Sequence, residues 1–124
     1  MFGGNRFEKW LNAYGAAWEA RDGKAFAKLF HERAVYYWTP FEEPKLGNAA
    51  ITTAFENAIS NQETVTFTGR VIKATRKSGT AHWRCAYTRT NTGRQVFTDG
   101  ILEAEFKNSG KAIMFREWWH IDEQ

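Results

Sequence analysis

Eight residues close to the end of the sequence, Ile113-Met114-Phe115-Arg116-Glu117-Trp118-Trp119-His120, set a carboxylate among large apolar groups. Read as a β-strand they divide between two faces, because the side chains of an extended chain alternate. Ile113, Phe115, Glu117 and Trp119 then share one face, and Met114, Arg116, Trp118 and His120 the other. Burying an ionised carboxylate costs on the order of several kcal/mol unless it is paired, hydrogen-bonded or protonated. A carboxyl in an apolar cavity titrates closer to neutrality, which is what general acid–base chemistry needs. Two readings of Glu117 stand side by side. It is the proton-transfer group of a pocket, or it pairs with an arginine of a neighbouring strand and serves structure alone.

The elements that must position this strand are legible in the residue pattern. Phe7, Trp10, Leu11, Tyr14, Ala17 and Trp18 recur at helical steps and form one apolar stripe. Asp22 can cap a short second helix bearing Phe26, Leu29 and Phe30. A first strand is expected from Ala34 to Thr39, followed by a loop between Pro40 and Pro44. Asn48 suits the cap of a third helix with Ile51, Phe55, Ala58 and Ile59 on its apolar side. From Thr64 the period becomes that of strands, at 64–77, 81–90, 95–107 and 111–120. Ser78-Gly79, Asn91-Thr92-Gly93 and Asn108-Ser109-Gly110 read as the hairpin connections. Helices followed by an antiparallel meander predict an α+β domain with its helices on one face of a sheet.

Composition bounds the function. A chain of 124 residues suits one domain with a real core. Six tryptophans and ten phenylalanines are enough to line a cavity or a partner surface as well as that core. The formal charge of +3 comes from scattered basic residues, which argues against a nucleic-acid footprint. The single cysteine, Cys85, excludes an intrachain disulfide and reads as a buried, inert thiol. No apolar run reaches membrane length, and Met1-Phe2-Gly3-Gly4 opens no secretory segment, so a soluble cytoplasmic protein with no membrane partner is expected. Met114 and Trp118 on the far face of the last strand predict a homodimer through the convex side of the sheet.

Ala17-Trp18-Glu19-Ala20-Arg21-Asp22-Gly23 and Leu29-Phe30-His31-Glu32-Arg33-Ala34-Val35-Tyr36 resemble the opening of a nuclear-transport-factor-2-like domain. Thr92-Gly93-Arg94, Asp99-Gly100-Ile101-Leu102-Glu103 and the run from Gly110 to Trp119 resemble its SnoaL-like branch, which includes polyketide cyclases. The resemblance covers nearly the whole chain. It implies a cone-shaped, curved antiparallel sheet packed on three N-terminal helices, with an apolar pocket at one end. Such domains include isomerases such as ketosteroid isomerase, cyclases, dehydratases, epoxide hydrolases and proteins without chemistry, so fold analogy does not choose among them.

Limonene-epoxide-hydrolase-like enzymes carry an aromatic-Arg-Asp-aromatic-aromatic run similar to Phe115-Arg116-Glu117-Trp118-Trp119, together with an Arg-x-Asp pair on an earlier strand. Here Arg84-Cys85-Ala86 stands at the matching place, with alanine for the second acid, which weakens that particular reading. The resemblance places Arg84 toward the cavity, and then His82 and Thr88 face it as well. Arg84 would hold Glu117 ionised or bind a substrate oxyanion, and His82 would be a second proton-transfer group. With the strand turned the other way, Trp83, Cys85 and Tyr87 line the cavity and that constellation disappears. Asp99 shares its face with Glu103 and Glu105, a pattern typical of solvated positions, and remains a lesser catalytic candidate through the resemblance.

Tyr14, Trp18, Tyr37, Trp38 and Phe55, with Phe115 and Trp119 beside Glu117, are the expected pocket wall, suited to a small apolar or aromatic ligand. His31, His82 and His120 are too scattered for a metal site, and no nucleotide or phosphate-loop motif occurs, so neither metal nor cofactor is expected. The resulting expectation is a cofactor-free isomerase, cyclase, dehydratase or epoxide hydrolase built on Glu117. A non-catalytic binding module or a protein-interaction domain is the alternative.

Overall fold

Burial alternates along the second half of the chain, and that alternation sets the architecture. On β4 (Ser78–Thr88) Ala81, Trp83, Cys85 and Tyr87 are buried; on β5 (Gln95–Phe106) Val96, Thr98, Leu102, Ala104 and Phe106 are. One face of the sheet is therefore the core wall, and the other meets solvent. The computed structural model describes residues 2–124, with side chains from Arg6 onward; of the opening tetrapeptide read for a secretory segment, Met1 lies outside the described residues.

The helices are α1 (Phe2–Ala20), α2 (Gly23–Ala27) and α3 (Asn48–Ile59). The remaining strands are β1 (Phe30–Tyr37), β2 (Lys45–Leu46), β3 (Glu63–Ala74) and β6 (Ala112–Glu123). The six strands form one sheet in the order β2-β1-β6-β5-β4-β3. The meander β3 to β6 is antiparallel throughout, whereas β1 joins β6 in parallel. Register shifts in β3, after Glu63 and again after Val71, bend the sheet around the helices, as bulges do. The helices fill the concave side, with α1 across β3 and α3 against β1 and β2.

Phe7, Trp10, Leu11, Tyr14 and Ala17 all turn into the core, as the α1 stripe predicts. Gly79 allows the closest of these contacts, since a Cβ there would collide with the Phe7 ring. It lies in β4 rather than in the hairpin expected around it. Asp22 caps α2 through its side chain, which accepts from the Ala25 N–H at 3.1 Å. That helix ends at Ala27, sooner than expected, and Phe30 and His31 begin β1 instead.

Asn48 does not cap α3. The cap position falls to Gly47, whose φ of 87° suits a residue without a side chain. Asn48 instead donates its side-chain amide back to the carbonyls of Ala27 and Phe30, tying α3 to the α2–β1 junction. The last strand also departs from simple alternation. Phe106 pairs with Ala112 and Glu105 with Met114, so the extra residue Ile113 falls out of the inward row and Ala112 takes its place.

The bonding direction at Asn48 makes a prediction. Aspartate equals asparagine as a cap, but it cannot donate to two carbonyls. Asn48→Asp is expected to lower stability by about 1–3 kcal/mol in urea unfolding, whereas a true cap would leave it unchanged.

Candidate functional site

Glu117 points inward from the middle of β6 with only 6% of its surface exposed. The placement follows from register: Glu117 pairs with Leu102 and Phe115 with Ala104, both in the buried row of β5. On the other side of β6, Tyr36 pairs with Phe115 and extends its phenol along the same inner face. The Tyr36 hydroxyl donates to Glu117 Oε2. The Tyr14 hydroxyl, from α1, adjoins that of Tyr36.

Among the described residues no cation forms an ion pair with this carboxylate. Its pKa is pushed up to about 7 by burial, against the opposing effect of the Tyr36 hydrogen bond. Both tyrosines are held well above the ordinary phenol value, chiefly by burial and then by the charge of Glu117. Near neutrality Glu117 is thus divided between acid and base, while its neighbours remain neutral donors.

A cavity of about 240 Å³ opens over this group. Its aromatic walls come from Trp18, Trp38, Phe55, Trp83 and Trp119. Two of the indoles have structural partners: the Trp18 Nε1–H donates to Gln62 Oε1 at 2.8 Å, and that of Trp119 to the Trp38 carbonyl at 3.2 Å. Lys45, Tyr87, Arg89 and Thr98 add polar groups to the lining. Arg89 is already engaged, gripping Glu123 through Nε at 2.8 Å and Nη2 at 3.3 Å. Glu117 is the one carboxylate among the described residues that line the cavity.

Several expected placements are corrected. Arg84, His82 and Asp99 lie on the outer face of the sheet, away from Glu117. There Asp99 accepts from Arg84 Nε at 2.8 Å and lies 2.7 Å from His82 Nε2. The Arg84 side chain is 70% exposed and that of Asp99 52%. Those two partners hold the Asp99 carboxyl below its ordinary range, His82 foremost. The reason is competition for the inner face: Trp83, Cys85 and Tyr87 bury far more apolar surface than His82, Arg84 and Thr88 would, and alternation makes the choice collective.

Tyr37 also turns outward, 38% exposed, because its neighbour Tyr36 takes the inner position; the Arg116 guanidinium sits 5.0 Å from the Tyr37 ring centre. Phe115 is fully buried beneath the site, with its ring centre 4.8 Å from that of Tyr36 and 5.5 Å from that of Tyr14. It buttresses the two phenols instead of lining the cavity. Tyr14, Trp18, Trp38, Phe55 and Trp119 do line it, with Glu117. Sequence reasoning passed over Tyr36, Gln62 and Lys45, and reached Trp83 and Tyr87 only through the alternative orientation of their strand. For Tyr36 a signal existed, since adjacent tyrosines on a strand cannot both face inward, but nothing local said which one does.

Among the described residues, no three His, Cys, Asp or Glu side chains gather into a metal-binding group, and no helix is long and apolar enough to cross a membrane.

The curved sheet wrapped on N-terminal helices, with its pocket on the concave side, defines a nuclear-transport-factor-2-like α+β domain. Within that class the chain belongs to the SnoaL-like domain family, whose pattern matches residues 11–113. Among solved structures, a putative isomerase from Bacillus subtilis superposes with a TM-score of 0.84 at 20% identity, covering 97% of this chain and 90% of that one. The Delta 5-3-ketosteroid isomerase of a Mycobacterium species gives 0.80 at 14% identity, covering 96% and 98%. The epoxide hydrolase/cyclase-like enzyme SalBIII, from polyether salinomycin formation, gives 0.80 at 18% identity, covering 94% of each chain. At these identities the likeness is one of fold. No curated protein matches this sequence.

The raised Glu117 pKa links the site to stability. The folded chain binds a proton at Glu117 more tightly than the unfolded chain, where this glutamate titrates near its ordinary value of 4.5. The stabilisation is complete below that value and is lost as pH rises through about 7. Stability measured by urea unfolding is expected to fall by roughly 3 kcal/mol across this window. In Glu117→Gln that component disappears; an identical pH profile in the variant would contradict the assignment.

Proposed function

We propose that the cavity receives a small apolar or aromatic molecule and that Glu117 exchanges a proton with it, without a cofactor. The observation that carries this reading is a buried carboxyl, bonded by a phenol and with no cationic partner among the described residues, at the wall of an aromatic cavity. A structural ion pair would instead place an arginine beside Glu117, and Arg84 lies on the opposite face of the sheet.

One carboxylate that both takes and returns a proton suits isomerisation, or a cyclisation or dehydration in which the same group serves successively as base and acid. Epoxide opening by water is less well served, because the described residues of the lining supply no second carboxylic acid to protonate the epoxide oxygen. A proton leaving a carbon next to a carbonyl puts negative charge on the carbonyl oxygen, and a neutral phenol such as Tyr14 or Tyr87 is a suitable donor to it. The aromatic walls exclude water and strengthen these hydrogen bonds. Likeness to a ketosteroid isomerase and to an epoxide hydrolase/cyclase-like enzyme supports this class of chemistry.

The chain acts, in this reading, as a single cytoplasmic domain that pairs with a second copy through the outer face of the sheet. Trp118 and Phe97, each 43% exposed there, support that arrangement. Elution as a dimer in size-exclusion chromatography at micromolar concentration is expected, and elution as a monomer would contradict it.

With a substrate in hand, Glu117→Gln is expected to reduce kcat by at least about 100-fold, the scale of a lost acid–base group. Unchanged turnover would leave the cavity as a binding site only. Tyr36→Phe removes the bond that favours the ionised form, so the pH midpoint of kcat should move upward; a downward shift or none would remove Tyr36 from the account.

A further inference from the structure

Lys45 is not needed by the proposed proton transfer, yet it faces the same cavity. It lies on β2, the edge strand, where lysines commonly do no more than block further strand pairing. Such a blocking residue points to solvent. Lys45 does not: it pairs with Tyr36 and therefore shares the inner face, whereas its neighbour Leu46 pairs with Val35 and is exposed. Lys45 is half-buried and lines the cavity.

Among the described residues two cationic side chains line this largely apolar space, and their situations differ. Arg89 is gripped by both carboxylate oxygens of Glu123. Among the described residues, Lys45 forms no ion pair within 4.0 Å. An ammonium held part-way out of water beside aromatic walls, with no carboxylate to answer it, is poised for an anion brought by the ligand.

Resting on the reading of the cavity as a ligand site, we propose that its ligand is an apolar body bearing a carboxylate, and that Lys45 binds that carboxylate. Lys45 is then a specificity-determining residue, selecting acids over neutral molecules of the same shape. The aromatic walls hold the body, and the cation fixes which end faces Glu117.

The test compares naphthalene-2-carboxylate with the uncharged naphthalene-2-carboxamide, by calorimetry or quenching of tryptophan fluorescence, at pH 6. Glu117 is then mostly protonated and does not repel the anion, while an aromatic acid remains ionised. The wild-type protein is expected to bind the carboxylate about five- to tenfold more tightly than the amide, a preference that shrinks with added salt. In Lys45→Met the preference should vanish, the carboxylate then binding no more tightly than the amide. Equal binding of the two probes by the wild-type protein, or a preference that survives Lys45→Met, overturns the proposal. Loss of the preference in Arg89→Gln but not in Lys45→Met overturns the assignment to Lys45. Failure of both probes to bind sinks the cavity reading itself, and this inference with it.

Discussion

One carboxyl group, Glu117, is buried with no counter-ion among the described residues, and much of the site is arranged around that fact. A carboxylate in an apolar interior has three ways to lower its cost: a cation, hydrogen bonds, or a proton. Here Arg84 lies on the other face of the sheet, Arg89 is engaged by Glu123, and a phenol supplies the hydrogen bond. The proton is the remaining route, and it places the carboxyl at about 7. A group so tuned is expensive to keep for structure alone, because an apolar residue of similar size would fill the position at lower cost.

The fold holds this arrangement through alternation. Tyr36 and Glu117 come from β1 and β6, far apart in sequence, and the parallel pairing of those strands aligns them. Phe115 packs under both phenols, so the donors cannot tilt away without opening the core. The bulge at Ile113 adds its own constraint, since the row beyond it stays in step with β5 only because one residue is left out of the pairing. Asn48 ties α3 to the α2–β1 junction and keeps Phe55 over the cavity.

Much of this was readable from the residues. The α1 stripe, the switch to strand period near Thr64 and the inward direction of Glu117 each rest on local periodicity, which physical chemistry converts directly into structure. Resemblance to the SnoaL-like branch gave the cone and its pocket. The parity of β4 was not readable, because His82-Trp83-Arg84-Cys85-Ala86-Tyr87 offers polar residues to one face and apolar residues to the other. Analogy favoured Arg84 inward; burial of two aromatic rings and a thiol decided otherwise. Tyr36 and Lys45 were missed for a related reason. Each becomes part of the site only through a strand pairing, which no local pattern reveals.

The account stands on the protonation of a single side chain, and carbon-13 NMR of the glutamate carboxyls reads that directly. Assigned by comparison with Glu117→Gln, the Glu117 signal is expected to titrate with a midpoint near 7, well separated from the exposed glutamates. A midpoint close to 4, the ordinary range of a glutamate, would mean that the carboxylate is solvated or paired, and the proton-transfer reading of the cavity would fall.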